Sequence, residues 1–204
     1  MKNMTINEFA NSVASNDPVP GGGSVAAICG TLSAALSEMV ANLTIGKKKY
    51  AEYENEMIEI KDKALVLKNK LIDYIEKDSI AYNKVMDAFK LPKEEDSGKH
   101  IRKQAIEDSS KLAATVPMEV AETSFEILPL AEAVVKRGNS NAITDGLVAA
   151  MLARTAVLSA ILNVRINLGS IEDQEFVNRY KEKSDKLEAN TCAYEKKILE
   201  NSPF

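Results

Sequence analysis

Residues 52–90 have the sequence EYENEMIEIKDKALVLKNKLIDYIEKDSIAYNKVMDAFK, which contains neither glycine nor proline. Apolar residues recur in it every three or four positions, at Met57, Ile60, Ala64, Leu67, Leu71, Ile75, Tyr82, Val85 and Phe89. This period predicts an α-helix that ends at Leu91, before Pro92. At 1.5 Å per residue the helix would be about 58 Å long. Since a compact domain of this size needs less, we expect its apolar face to contact a second subunit as well, most simply in a homodimer.

Glycine, proline and capping residues divide the rest of the chain in the same way. A capping box from Thr5 to Glu8 starts a short first helix, and Asn141 is expected to cap the fifth. Pro117 and Pro129 interrupt or kink the fourth. The other predicted helices are 6–15, 24–46, 94–136, 141–168 and 172–200. Because no segment alternates as a strand does, the sequence predicts one all-α domain over residues 1–204, a bundle of about six helices with one very long helix.

Charge and composition exclude several classes of protein. The 204 residues include 26 Lys and Arg against 30 Asp and Glu, a net charge of −4, whereas a nucleic-acid binder needs a basic surplus. The most apolar stretches contain Glu38, or Arg154 and Arg165, so we expect no membrane span. Cys29 and Cys192 form no disulfide framework, and no signal-peptide pattern is found, which together predict a cytoplasmic protein.

Asp78 interrupts the apolar stripe of residues 52–90, between Ile75 and Tyr82. Burial raises the pKa of a carboxyl group unless a cation or hydrogen-bond donors compensate, and a raised pKa suits a general acid or base near neutral pH. The alternative is a structural carboxylate paired with a buried arginine or with a helix N-terminus. The pattern leaves both explanations open.

Three polar residues share one face of the predicted fifth helix. Asp145 and Asn163 are 18 residues apart, which is five turns, and Asn167 lies one turn further along. Buried asparagine needs polar partners, so these side chains are candidates for ligand contact. Two structural explanations compete with this one: an acid in a first turn complements the helix dipole, and the asparagines can bond to neighbouring helices.

The segment Pro20–Ser24 has three consecutive glycines where a helix begins. Bare backbone N–H groups and the positive end of the helix dipole meet there, which favours an anion or a carbonyl ligand. The segment is neither a Walker loop nor a dinucleotide fingerprint, because it lacks a following Gly-Lys-Ser/Thr and a preceding strand. The alternative is a flexible linker in which Ser24 is the helix cap.

The remaining candidates each have an ordinary explanation too. The lysines at 47–49 either complement a helix C-terminus or bind a polyanionic tail. Lys93 either lies near the mouth of the Asp78 stripe or is simply solvated, and Glu122 either borders a pocket at the Pro117 kink or is a surface acid. His100 is the only histidine, and the cysteines form no CxxC pair. We therefore predict no metal site and no Ser-His-Asp triad.

Several of these segments together resemble the cyclodeaminase/cyclohydrolase family of folate enzymes. The matching segments are Pro18–Ser24, Met39–Tyr50, Asp78 with Leu91–Lys93, Val116–Pro117 with Glu122, Gly138–Asn139 with Asp145, and Asn163–Leu168. They cover nearly the whole chain, in order and with similar spacing. This makes the resemblance far more specific than one glycine-rich loop.

The resemblance implies an all-helical homodimer that binds a small folate, with no nucleic acid, membrane, metal or further cofactor. The expected reaction is that of a formiminotetrahydrofolate cyclodeaminase, which closes the ring to methenyltetrahydrofolate and releases ammonia. The alternative is a methenyltetrahydrofolate cyclohydrolase, which gives formyltetrahydrofolate. A non-catalytic helical scaffold or folate binder is a remoter alternative.

The residues acquire hypothetical roles from this reaction. Asp78 is the principal acid and base, and Asp145 is the second carboxylate or orients the amidine. Asn163 and Asn167 hold the pterin or the tetrahedral carbon. The backbone of Gly21, Gly22, Gly23 and Ser24 receives an anionic or carbonyl group, and lysines receive the glutamate tail. Lys93, Glu122 and Asn139 lie in matching segments and are expected to contact the substrate.

Overall fold

The computed structural model describes residues 1–93 and 96–203, and within them all regular structure is helical. The helices are α1 (Ile6–Val13), α2 (Gly22–Thr44), α3 (Glu54–Lys90), α4 (Asp96–Phe125), α5 (Leu128–Arg137), α6 (Ile143–Leu168) and α7 (Gln174–Leu199). Two 3₁₀ helices, Lys48–Tyr53 and Ser140–Ala142, precede α3 and α6. The all-α prediction is confirmed.

The long helix α3 forms as predicted, but its apolar stripe is covered inside the chain. Met57, Ala64 and Leu71 are completely buried, in contact with α2 and α4. The expectation that this stripe contacts a second subunit is therefore wrong for Met57–Ile75. Helices α2 and α4 of the same chain pack along α3 and account for its length.

The predicted segment 94–136 consists of two helices. The chain continues as a helix through Pro117 and breaks after Phe125, so that Pro129 lies in the first turn of α5. Proline is favoured there because its missing N–H would have no helical acceptor. Residues 94 and 95 of this prediction lie outside the described residues.

Helices α2 and α6 run antiparallel through the centre of the bundle. Small residues at the contact allow close approach, and the Ser33 hydroxyl donates to the Ala149 carbonyl at 2.7 Å. At one end of the pair Gly22 lies beside Asn163. At the other end the Asn139 backbone N–H donates to the Thr44 hydroxyl at 2.8 Å.

The cap that precedes α6 differs from the expected one. Asn141 does not cap it: the side-chain oxygen of Asn139 accepts from the Asn141 N–H at 3.2 Å and caps the short 3₁₀ helix before α6.

Helix α2 and the segment Ser140–Leu168 are long and apolar enough to cross a membrane by length and composition alone, with mean hydropathies of 1.5 and 1.9. Half of each apolar window is buried inside the chain. The charges in these helices have partners: Glu38 pairs with Lys68 at 2.5 Å, and Arg154 pairs with Glu195 at 3.1 Å. Both helices therefore serve as core helices of the bundle, and the absence of a membrane span stays a prediction.

The outward faces of α2 and α6 carry two mostly apolar rows that the described part of the chain leaves exposed or half-buried. Both rows consist of residues three or four positions apart that are exposed or half-buried: Val25, Cys29, Leu32, Leu36, Met39 and Leu43 on α2, and Val148, Met151, Thr155, Leu158, Leu162 and Ile166 on α6. We call these two rows the α2–α6 seam. The spacing on α2 alternates four and three, which is the period of a helix that packs against another helix along its length.

Candidate functional site

A pocket of about 320 Å³ opens where the N-terminus of α2, the last third of α3 and the last turns of α6 meet. Its volume is at the lower end of the range for small-molecule sites. The lining residues are Pro18, Val19, Gly21, Gly22, Gly23, Asp78, Ala81, Tyr82, Val85, Ala113, Asn163, Ile166 and Asn167. Six of the eleven sequence-predicted site residues are among them, and a seventh, Ser24, contacts Asp78 directly.

The carboxylate of Asp78 lies against the glycine turn that starts α2. A side chain on Gly23 would overlap with this carboxylate, so any residue other than glycine there must displace Asp78. The Ser24 hydroxyl is 3.0 Å from Asp78 Oδ2 and 3.0 Å from the Ile75 carbonyl oxygen, and its single proton can be donated to either. The sequence therefore places glycine where the carboxylate and the helix start must touch.

Burial raises the pKa of Asp78, and hydrogen bonds from the side chain and backbone of Ser24 oppose this effect without cancelling it. No described cation lies within ion-pair distance of this carboxylate. The structural alternative of a carboxylate paired with a buried arginine is thus excluded for the described residues. The other structural alternative, a carboxylate at a helix N-terminus, agrees with the hydrogen bonds from Ser24 in the first turn of α2. A partly buried carboxyl group with a raised pKa keeps its proton to higher pH than an exposed one, which suits it to proton transfer.

Asn163 and Asn167 form the wall opposite the glycine turn. The Asn163 side-chain nitrogen donates to Ser159 O at 2.9 Å, and that of Asn167 donates to Ala113 O at 2.7 Å and to Asn163 O at 2.9 Å. These bonds use both side-chain N–H groups of Asn167 and one of the two of Asn163, and no described residue donates to either amide oxygen. Both oxygens are therefore left to accept hydrogen bonds from a ligand.

The rest of the pocket wall is mostly apolar, and sequence reasoning did not assign it to the site. Tyr82, Val85 and Ile166 line the pocket, but Tyr82 and Val85 looked like ordinary members of the α3 stripe. The available signal was spacing, because Tyr82 is one helical turn after Asp78 and so lies on the same face. Such a wall suits a flat, partly apolar ring whose polar edges face Asp78 and the asparagines.

The structure does not bring Asp145 to this pocket. It lies in the first turn of α6, and the 18 residues to Asn163 correspond to about 27 Å along the helix axis. The two side chains share a face but lie at opposite ends of α6. Asp145 is half-buried and forms no hydrogen bond or ion pair with another described residue.

Three other predicted substrate contacts also lie outside the pocket. Glu122 forms an ion pair with Lys183 at 2.6 Å, between α4 and α7. Asn139 is buried, and its side-chain nitrogen donates to the Leu43 carbonyl at 3.1 Å. Lys93 is exposed, three residues after α3 ends. Glu122 and Asn139 thus hold helices together in this chain.

The end of the bundle that carries Asp145 has its own polar cluster. The Tyr50 hydroxyl accepts from the Ser140 N–H at 2.9 Å and lies 3.0 Å from the Ser140 hydroxyl. Lys49 Nζ donates to the Ser140 hydroxyl at 3.3 Å. These bonds lower the pKa of Tyr50 to about 8, and the bond with the Ser140 side chain has the largest effect. We call this region, with Lys47, Lys49, Ser140 and Asp145, the lysine end.

The sequence predicts no metal site, and this stays a prediction. Within residues 1–93 and 96–203 no three His, Cys, Asp or Glu side chains are grouped so that they can hold a metal ion. The pocket offers one carboxylate, two amide oxygens and the N–H groups of a helix start. Such groups can transfer protons and bind the polar edges of a heterocycle.

Comparison with known proteins gives one consistent result. The model of the formiminotransferase-cyclodeaminase family matches residues 5–186. A methenyltetrahydrofolate cyclohydrolase from Methylorubrum extorquens is 39% identical over 97% of this chain and 95% of its own length. The crystal structure of a formiminotetrahydrofolate cyclodeaminase from Thermotoga maritima superimposes with a TM-score of 0.88 at 32% identity, covering 98% of this chain and 96% of the other.

A longer relative matches over only part of its length. The formimidoyltransferase-cyclodeaminase of Rattus norvegicus is 30% identical over 93% of this chain, and the chain spans 35% of that protein.

Proposed function

The chain belongs to the formiminotransferase-cyclodeaminase family, and on that premise we propose that it is a formiminotetrahydrofolate cyclodeaminase that works by carboxylate acid–base catalysis in the Asp78 pocket. The substrate carries a formimino group on one folate nitrogen. A second folate nitrogen attacks the carbon of that group, and ammonia leaves. The product is the ring-closed methenyltetrahydrofolate.

The observation that carries the proposal is the half-buried carboxylate of Asp78, unpaired by any described cation, between the glycine turn of α2 and the asparagines of α6. The reaction needs a group that takes a proton from the attacking nitrogen and gives one to the leaving amine. A carboxyl group with a raised pKa is suited to both transfers.

Each proton movement can be assigned to Asp78. The formimino group reacts in its protonated, amidinium form, so attack of the second nitrogen gives a carbon bonded to two folate nitrogens and a neutral amine, with the positive charge on the attacking nitrogen. Asp78, ionised, takes the proton of the attacking nitrogen, and then donates it to the amine, which leaves as ammonia when its bond to carbon breaks. The positive charge of the methenyl product is spread over the two ring nitrogens, so no redox or phosphoryl-transfer cofactor is needed.

The surrounding residues hold the folate. The amide oxygens of Asn163 and Asn167 accept hydrogen bonds from N–H groups of the pterin, and Tyr82 and Val85 contact its faces. The first N–H groups of α2, at Gly22 and Gly23, have no intrahelical acceptor and bind a carbonyl or anionic group of the folate.

A second candidate reaction is favoured by one specific comparison. The relative that is 39% identical over nearly its whole length is a methenyltetrahydrofolate cyclohydrolase. That reaction adds water to the same ring carbon and passes through a carbon bonded to two nitrogens and a hydroxyl. Asp78 would then take a proton from the water instead of giving one to an amine.

Near-ultraviolet absorbance separates the two reactions. With formiminotetrahydrofolate and pure protein, a cyclodeaminase increases the methenyl absorption band faster than the uncatalysed control and releases ammonia in equal amount. With methenyltetrahydrofolate, a cyclohydrolase decreases the same band. If neither rate exceeds its control, the chain is not an enzyme for either folate and the proposed function is wrong.

We also propose that the protein is a homodimer that buries the α2–α6 seam. Exposed apolar rows of this length on two adjacent helices are typical of an interface. Two copies of an antiparallel helix pair form a four-helix contact in which each copy presents the same surface, as two-fold symmetry requires. The seam is thus a better candidate for the interface than the Met57–Ile75 part of the α3 stripe, which is already covered.

A further inference from the structure

The Ser24 hydroxyl lies between two acceptors that differ in charge. It is 3.0 Å from the Ile75 carbonyl oxygen and 3.0 Å from Asp78 Oδ2, and it has one proton to donate. Rotation about the Cβ–Oγ bond moves that proton from one acceptor to the other without moving a heavy atom. Because Ser24 is completely buried, water does not compete for its hydroxyl.

The protonation state of Asp78 determines which acceptor is the better one. An ionised carboxylate accepts a stronger hydrogen bond than a neutral carbonyl oxygen does, so the hydroxyl donates to Asp78 when that group is ionised. When Asp78 holds a proton, the hydroxyl donates to the Ile75 carbonyl instead. Ser24 thus keeps a hydrogen-bond partner in both states of the carboxyl group, and neither state leaves a buried donor unpaired.

Among the described residues, only Ser24 forms a side-chain hydrogen bond with Asp78. Apart from Asp78 itself, Tyr82 is the only titratable residue that lines the pocket. The charged residues next to the pocket on the surrounding elements are exposed or have other partners: exposed Asp17 before α2, Lys77 of α3 over the Tyr74 ring, Lys111 of α4 with Glu107 and Asp173, and Arg165 of α6 with Asp185 and Glu188. Ser24 is therefore the described group best placed to respond to the charge of Asp78.

We propose that Ser24 is a positioning residue for Asp78: its hydroxyl turns from the Ile75 carbonyl to the carboxylate when Asp78 is ionised, and turns back when Asp78 takes up a proton. The O–H bond of Ser24 stays intact, and the proton given to the leaving amine is that of Asp78. The hydroxyl favours the ionised state, in which Asp78 accepts the proton of the attacking nitrogen. Its use in catalysis rests on the proposed function, whereas its effect on the titration of Asp78 does not.

Ser24→Ala tests the proposal, and Ser33→Ala is the matched control. Both serines are completely buried on α2, and each hydroxyl lies within hydrogen-bond distance of a backbone carbonyl of a neighbouring helix. Ser33 is nine residues further along α2, which is about 14 Å along the helix axis. Loss of a structural hydrogen bond affects both variants, but only loss of a bond to the ionised carboxylate changes the titration of Asp78.

NMR of protein labelled with ¹³C at the aspartate carboxyl groups measures this titration without any assay of activity. The Asp78 signal is the one that is absent from Asp78→Asn. In Ser24→Ala its midpoint should rise by about one pH unit, because a hydrogen bond to a charged group is stronger than one to a neutral group. In Ser33→Ala the midpoint should equal that of the wild type. An unchanged or lower midpoint in Ser24→Ala that is folded by circular dichroism would overturn the proposal.

Ser24→Cys keeps the proposal testable if Ser24→Ala does not fold. The thiol is a weak donor, so the midpoint of Asp78 should lie above that of the wild type and below that of Ser24→Ala. A wild-type midpoint in Ser24→Cys would show that the hydroxyl does not favour the ionised carboxylate, and would overturn the proposal.

The pH dependence of kcat/KM for formiminotetrahydrofolate tests the use of the hydroxyl in catalysis. Because the reaction requires ionised Asp78, the fall of kcat/KM at low pH should move to higher pH in Ser24→Ala by the shift that NMR measures, and should not move in Ser33→Ala. A profile that does not move although the NMR midpoint does would overturn the catalytic use. A wild-type protein without activity, in which Ser24→Ala still shifts the NMR midpoint, would refute the proposed function alone.

Discussion

At the scale of single residues, the contact between Gly23 and Asp78 determines how the pocket is built. A side chain at Gly23 would overlap with the Asp78 carboxylate, whereas one at Gly22 would come no closer than 3.3 Å to the Asn163 side-chain nitrogen. The glycine turn thus admits the carboxylate to the start of α2. Glycine is needed here because its missing side chain leaves room for the Asp78 carboxylate, and not only because its backbone is flexible.

Gly23→Ala is expected to lower turnover of the folate by about 100-fold, because displacing a reacting group by about 1 Å has this effect. Gly22→Ala is the matched control, since the same added methyl group only presses on a flexible side chain, and its loss should be much smaller. Steady-state rates with circular dichroism of both variants check this. Equal losses in the two variants would show that the turn, and not the position of Asp78, was disturbed.

The raised pKa of Asp78 also makes a prediction about stability. A carboxyl group whose pKa is higher in the folded state stabilises the fold fully below its ordinary pKa of 3.8. That stabilisation is lost as the pH rises through the folded-state pKa, because the ionised group is then buried. Asp78→Asn removes this cost, so we expect the variant to be more stable than the wild type at pH 7.

Urea unfolding of both proteins at several pH values measures the difference. The excess free energy of unfolding of Asp78→Asn should shrink as the pH falls towards 3.8. Other carboxyl groups titrate in both proteins alike and cancel in the comparison. An Asp78→Asn protein that is less stable than the wild type at pH 7 would mean that the Ser24 hydrogen bonds outweigh burial.

At the scale of helices, α2 and α6 each have two apolar sides with different functions. The inner sides are rows of alanine, glycine and serine that bring the two helices together, and Ser33 bonds directly to the α6 backbone. The outer sides form the seam. Periodicity alone could not separate these sides, because a helix that is apolar almost all round gives a weak signal for the direction of its core.

A charge in the seam should separate the subunits without unfolding them. Leu162→Glu places a carboxylate at a position that is 64% exposed in the single chain but would be buried between two copies, where an unpaired charge is costly. Val66→Glu is the matched control on α3, at 65% exposure and away from the seam. Analytical ultracentrifugation should give twice the 22.3 kDa chain mass for the wild type and Val66→Glu, and the single mass for Leu162→Glu. A Leu162→Glu dimer would exclude the seam as the interface.

At the scale of the whole molecule, the sequence predicted the helices better than their arrangement. The breaker-free run of α3 and the capping box of Thr5 specify local structure, so the positions of these helices followed from residues close in the chain. The fourth segment was harder, because whether proline breaks a helix depends on its neighbours: the chain stays helical at Pro117 and uses Pro129 to start α5. That α3 is covered by its own chain is a tertiary fact that no local pattern contains.

The site shows the same division. Asp78 and the glycine turn were identifiable because each contradicts its own local pattern, and the structure brings them together with Asn163 and Asn167. Asp145 was assigned to the site because it shares a helix face with Asn163. A shared face extends over the whole helix, so it does not show that two residues are close along the helix axis. Glu122 and Asn139 were placed by resemblance, and in this chain they bond to Lys183 and Leu43.

The measurement to make first is the rate at which the methenyl band grows when formiminotetrahydrofolate is mixed with wild-type protein and, separately, with folded Asp78→Asn. We predict growth well above the uncatalysed control for the wild type, and a rate at least about 100-fold lower for the variant, as expected on removal of a general acid–base group. A folded Asp78→Asn protein that matches the wild-type rate would contradict catalysis by this carboxylate.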